Sequence, residues 1–190
     1  MPIVELHLLQ GYGAQEKLRL HEALTDAVRL VVPASPDAIT VMFHEMAPEN
    51  YSRGGRHRDG APALPEAGAL VRGFLEAMEA RDLERAQSML GDGFVMQFPG
   101  APPMQGLEEL IAWAKPRYRF VRKSYEDFDV MQGPGAETLV YCRGTLSGEW
   151  PDGTAFEGIR FIDRFEVEGG KLKRQEVWND IAETRAKAPD

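Results

Sequence analysis

Proline at position 2 follows the initiator methionine, and a proline that becomes the chain terminus is a chemical tool. Its secondary amine starts from the α-amino range, a pKa of roughly 7.7–8.0. Burial in an apolar pocket lowers that value by disfavouring the charged form. A base near neutrality is what proton transfer between a carbon and an enol oxygen requires. The nitrogen is an amide while Met1 is attached, so the chemistry needs Met1 removed, and a small second residue favours that removal. Glu5, His7 and His44 offer a carboxylate and two imidazoles, the donor types that bind zinc. Period-2 alternation puts Glu5 and His7 on one face of an extended segment, with Pro2, Val4 and Leu6 on the other. No ligand spacing demands a metal, and polar residues hydrogen-bonded in a sheet or subunit contact are the plainer expectation. Neither metal nor organic cofactor is expected. Cys142, the one cysteine, has no evident partner to lower its pKa and reads as an inert strand residue. His21 is expected on a helix surface.

The elements that must position these residues fall into two groups. "PIVELHLLQG" is rich in β formers and stops at Gly11 and Gly13. Between Ala14 and Val32, Leu18, Leu20, Ala23, Leu24, Ala27, Val28 and Val31 recur at helical spacing. Pro33 and Pro36 end that helix, and Ala38–Met46 forms a second strand. Strand, helix and strand with short turns imply a right-handed crossover between parallel strands. Two strands and one helix cannot bury a core, so this unit must pack on copies of itself or on the second domain.

From Ser52 to Ala67 the chain is rich in Gly, Arg, Pro and Ala and lacks periodicity, as a linker does. The resulting division is 1–58, a linker over 59–66, and 67–190. All four histidines precede Gly60. Beyond the linker, Leu70–Leu90 predicts two helices broken near Asp82. "GFVMQFPG" predicts a strand, and Gly106 begins a further helix. Strands are then expected over Ser124–Met131, Glu137–Trp150 and Ala155–Val167. Gly169-Gly170 turns the chain into a last strand, Lys171–Asp180. Helices followed by a long antiparallel sheet make an α+β layout, with helices over one face of a curved sheet.

Composition bounds the function. The chain has 190 residues, 43% of them hydrophobic, and a formal net charge of −8. An acidic chain has no electrostatic reason to bind nucleic acid or an anionic membrane. One cysteine permits no internal disulfide. No apolar run is long enough to span a bilayer, and no basic-then-apolar leader is visible. The expectation is a soluble, cytoplasmic protein.

The segments "PIVELHLLQGYGAQEKLRLHEALTDAV" and "ITVMFHEMAPENYSRGG" resemble the 4-oxalocrotonate tautomerase family over about 57 residues. The resemblance rests on the proline after Met1, the "EM" closing the second strand, and the element formed by Tyr51, Gly54 and Gly55. It implies a β-α-β unit with Pro2 as the acid/base catalyst and a small oxo or enol substrate. Family members that act on dicarboxylates carry two arginines, which would fall on Tyr12 and Thr40 here. Without these bidentate clamps, the substrate implied is not the family's namesake. Tyr51 falls where the family has an aromatic pocket residue. Arg53 and Arg56 lie close enough in sequence to supply a cation, so Tyr51, Tyr12, Thr40 and Arg53 form the candidate substrate-binding set.

"EARDLERAQSML", "FVMQFPGAPPMQGLEELIAW" and "RFIDRFEVEGGKLKRQEVWND" resemble the SnoaL-like branch of the nuclear transport factor 2-like superfamily from about Pro65 onward. The resemblance implies a cone-shaped sheet enclosing an apolar pocket, a fold that hosts enzymes and inert binding modules alike. Trp113, Tyr118, Tyr141, Asp163 and Trp178 are the candidate pocket residues, with Trp150 and Asp180 as further rim positions. In the related ketosteroid isomerases the general-base carboxylate would fall near Phe98, which cannot serve. The oxyanion-stabilising carboxylate would fall near Asp163. Beside Arg164 on a strand, Asp163 also reads as an ion-paired structural residue.

Three functions follow. The leading one is a tautomerase working through Pro2, its SnoaL-like domain serving assembly or ligand binding. The second puts isomerase or cyclase chemistry in the SnoaL-like pocket. The third is a non-catalytic ligand-binding or scaffold protein. Both halves are expected to favour a homo-oligomer.

Overall fold

A computed structural model describes residues 1–186 and resolves two compact units, residues 1–63 and residues from 64 onward. In the first, β1 (Ile3–Leu9) and β2 (Thr40–Met46) form a parallel pair connected through α1 (Ala14–Arg29). The register joins Val4 to Val41, Leu6 to Phe43 and His7 to His44. One face of the pair meets α1. His21 stacks on Phe43 with ring centroids 4.0 Å apart, and Lys17 donates to Glu45 at 2.6 Å. His21 is therefore not a free surface residue: its position on α1 turns it inward onto β2. The opposite face carries Ile3, Glu5, His7, Met42 and His44, all exposed. No residue of this unit is buried.

The stretch read as linker begins with structure. β3 (Ser52–Arg53) and β4 (Arg56–His57) form a minimal antiparallel hairpin. Gly54 and Gly55 supply its turn at φ 61° and 73°, a region that side chains disfavour. Compositional reading missed it because Gly-Arg-rich sequence looks the same in a tight hairpin and in a tether.

The second unit holds the hydrophobic core. Two helices, α2 (Ala67–Ala80) and α3 (Leu83–Ser88), precede β5 (Leu90–Gln97). Glu66 caps α2 by accepting from the amides of Gly68 and Ala69, and Asp82 caps α3 through the amide of Arg85. After α4 (Leu107–Ala114) come β6 (Phe120–Gln132), β7 (Thr138–Glu149), β8 (Ala155–Glu168), β9 (Lys171–Asn179) and α5 (Ile181–Ala186). The sheet order is β5-β9-β8-β7-β6, antiparallel except where β5 runs parallel to β9. The first of the three expected long strands starts four residues earlier than Ser124, at Phe120, because Phe120–Lys123 pair with Leu146–Glu149. Along β8, Ile159, Phe161, Asp163, Phe165 and Val167 are buried, while Arg160, Ile162 and Glu168 are exposed. That alternation defines a concave inner face, on which Phe74 of α2 packs edge-on to Phe94 and Phe165.

The strands of this sheet approach closely where β6 is bulged, between Tyr125 and Asp127. A Cβ on Gly144 would lie 1.9 Å from the Ser124 carbonyl oxygen. Gly144→Ala is expected to destabilise the unit by about 1–3 kcal/mol or more, since backbone must shift to admit it. All three tryptophans, Trp113, Trp150 and Trp178, lie in this unit, so the midpoint of fluorescence-monitored denaturation measures the loss.

Candidate functional site

In the first unit, Pro2 lies at the entrance of β1, half-buried, and its carbonyl oxygen accepts from the Thr40 amide at 3.0 Å. This bond fixes the residue without using its nitrogen. Pro2 and Thr40 are thus neighbours. Tyr12, Tyr51 and Arg53 gather elsewhere, in a surface recess completed by Leu9, Arg58 and Asp59. Leu9 ends the strand that Pro2 precedes, so roughly 20 Å of extended chain lies between the amine and the recess. Within one chain the structure brings Pro2 to Thr40 and Tyr12 to Tyr51 and Arg53, but does not join the two groups.

The second unit holds a cavity of about 180 Å³ under the concave face, lined by Phe74, Phe98, Tyr118, Lys123, Tyr125 and Gln175 among others. A smaller, deeper lobe shares Phe98, Tyr118 and Lys123 and adds Trp113 and Asp163. Phe98 and Trp113 pack at 5.2 Å between centroids. Asp163 is fully buried. Lys123 donates to Asp163 Oδ2, and Gln175 Nε2 reaches the same oxygen at 3.3 Å. The Lys123 ammonium also sits 4.3 Å from the centre of the Phe161 ring. Among the described residues, Asp163 Oδ1, Gln175 Oε1 and Trp113 Nε1 are buried side-chain atoms without a hydrogen-bond partner. A buried polar atom without a partner costs about 1–3 kcal/mol.

Of the pocket candidates, Trp113, Tyr118 and Asp163 line the cavity. Tyr141 and Trp178 do not. Strand parity turns Tyr141 away from its buried neighbours Val140 and Cys142, and Trp178 away from Val177. Trp150 packs against Phe156, and Asp180 accepts from Arg160 Nε at 2.7 Å. Asp163 is ion-paired, but with Lys123 and not with its sequence neighbour. Arg164 points to the convex face, where it binds Glu166 and Glu176, each at 2.8 Å.

The two units match two families. A tautomerase enzyme model covers residues 2–57, and a SnoaL-like domain model covers residues 71–175. The chain belongs to both families. Its tautomerase unit is 36% identical over 56 residues to a probable tautomerase of Halalkalibacterium halodurans, spanning 30% of this chain and 92% of that protein. A probable tautomerase of Staphylococcus aureus is 38% identical over 55 residues, spanning 29% and 90%. Among solved structures, an NTF2-like protein of unknown function from Burkholderia pseudomallei is similar, with TM-score 0.53 and 20% identity, covering 62% of this chain and 93% of that one. TerC co-crystallised with polyporic acid is similar at TM-score 0.51 and 16% identity, covering 62% and 94%. At these identities the two structures establish the SnoaL-like unit's fold. Among the described residues, no helix is long and apolar enough to cross a membrane.

Sequence reasoning missed Lys123 and Gln175 in the SnoaL-like cavity. The signal was available for Lys123. In "FVRKSYEDF" the residues Val121, Lys123 and Tyr125 share the inward parity, and a lysine at an inward strand position needs a buried anion. Gln175 gave less, because it follows a register shift between β8 and β9.

Burial, reinforced by Asp163, pushes the Cys142 thiol up to about 12. Burial likewise raises Tyr125 and Tyr118 above their ordinary values. A raised folded-state pKa favours the neutral thiol. Cys142 therefore contributes stability that is complete below about pH 9 and is lost as pH climbs towards 12. Two outcomes are expected. At pH 8 the native thiol reacts with a disulfide reagent about a thousandfold more slowly than the unfolded chain, on thiolate population alone. Cys142→Ala flattens the fall in melting temperature between pH 9 and 10.

Proposed function

We propose that the tautomerase unit transfers a proton on a small oxo or enol substrate through the secondary amine of Pro2. The observation that carries this reading is that the tautomerase match begins at residue 2, the one position where removal of Met1 exposes a prolyl amine. The Thr40 hydrogen bond to the Pro2 carbonyl supports it by anchoring the ring at the sheet end. Tyr51, Tyr12 and Arg53 contact substrate. They stand a strand's length from Pro2 of the same chain, so a site using both draws its recess from a second copy. A homo-oligomer also suits a unit in which no residue is buried.

Ketonisation of phenylpyruvate, with intact mass to establish loss of Met1, tests the reading. Pro2→Ala and any chain retaining Met1 are expected to lose about 100-fold or more in kcat/KM. Activity equal to the mature wild type in either would remove the amine from the mechanism. Dicarboxylates of the 2-hydroxymuconate type are expected to be poor substrates. Tyr12 and Thr40 supply no guanidinium, and each lost charge-assisted contact costs roughly one to two decades. Efficient turnover that disappears in Arg53→Ala would show Arg53 acting as the clamp.

A second reading rests on the SnoaL-like cavity, whose mostly apolar lining includes Lys123 and Asp163. Apolar walls around a buried ion pair suit a largely apolar ligand with a polar group, bound there for storage or for isomerase or cyclase chemistry. Polyporic acid, crystallised with the fold neighbour TerC, is a practical probe. Isomerase activity that survives Pro2→Ala and falls in Asp163→Asn would move the chemistry to this cavity. Binding of the probe without turnover would leave it a ligand module.

A further inference from the structure

The exposed face of the first unit's sheet holds a side-chain cluster that the Pro2 reading does not use. His7 and His44 are register partners on adjacent parallel strands, and Glu5 lies two residues before His7 on the same face. Adjacent strands are held about 4.8 Å apart, so the backbone itself confines the two imidazoles to one spot. Their rings stack with centroids 4.7 Å apart and planes 17° from parallel. His44 Nε2 lies 3.8 Å from Glu5 Oε2. One donor atom from each of the three residues falls within 4.8 Å of the others.

We propose that Glu5, His7 and His44 form a binding site for a first-row transition-metal dication, with Zn2+ and Ni2+ as its natural class. Two imidazoles and one carboxylate suit these borderline ions and not Mg2+ or Ca2+, which take oxygen donors. Tetrahedral zinc with bonds near 2.0–2.1 Å needs donors about 3.3 Å apart. Side-chain rotation is available to close the observed spacing to that value, because all three residues are exposed and the two imidazoles stack on each other. Three protein ligands leave a fourth position for water or for a group from another molecule. The metal would tie β1 to β2 across 37 residues of chain, in a unit without buried residues. Its effect is therefore a cross-strand clamp on this sheet.

Untagged full-length protein titrated calorimetrically with ZnCl2 or NiCl2 in a non-chelating buffer tests the site. One Zn2+ per chain is expected at micromolar affinity or tighter. His7→Ala and His44→Ala are each expected to weaken binding at least about tenfold. His57→Ala, in the hairpin, and Pro2→Ala leave it unchanged, and MgCl2 gives no heat of binding. Metal-free circular dichroism of the variants should superimpose on wild type, since the mutated side chains are exposed. Co2+ added to wild type alone supplies a second readout: visible d–d bands displaced by one equivalent of Zn2+. Absence of saturable Zn2+ binding, absence of those bands, or unchanged affinity in both histidine variants overturns the proposal.

Discussion

A β-strand sends successive side chains to opposite faces, and once its register is set it has no freedom to trade one face for the other. Nearly every feature of chemical interest in this chain depends on that constraint. In the second unit it delivers Lys123, Asp163 and Gln175, from three different strands, to the same inner surface. It sends Tyr141, Arg164 and Trp178 outward by the same rule. In the first unit it places Glu5, His7 and His44 on one face while Phe43 and Glu45 meet the helix on the other.

The two units use the constraint under opposite energetic conditions. The SnoaL-like unit closes five strands and its helices over a packed interior that includes Phe74, Phe165 and Leu172. Such an interior can carry an ion pair in low dielectric, where removing one partner leaves the other as an uncompensated charge. The tautomerase unit has two paired strands, one helix and a minimal hairpin, too little to enclose anything. None of its polar and catalytic candidates is therefore fully buried.

Much of this was legible in the sequence, and the reasons are local. Helical spacing of leucines from Leu18 onward, prolines at 33 and 36, and the Gly169-Gly170 turn each act within a few residues, so they mark elements directly. The family motifs carried both folds. What could not be read were the meetings of residues distant in sequence. Lys123 and Asp163 are separated by 40 positions, and their pairing depends on β6 and β8 each lying beside β7. The stacking of His21 on Phe43 depends on the rotation of α1 about its axis, which periodicity bounds only to a face. Likewise, the separation of Pro2 from Tyr51 follows from their lying at opposite ends of one strand. A linear motif that names both residues says nothing of that distance.

The Lys123–Asp163 pair gives the cavity floor a further property. One ammonium and one carboxylate cancel in charge but not in direction, so the floor is a dipole set in apolar walls. A ligand with a full charge would lose its hydration on entering these walls and meet no unpaired counter-charge to offset that cost. A neutral molecule whose own dipole runs antiparallel to the pair gains from both. For any neutral guest, then, orientation would matter as much as fit: reversing it end for end would turn the gain into a penalty.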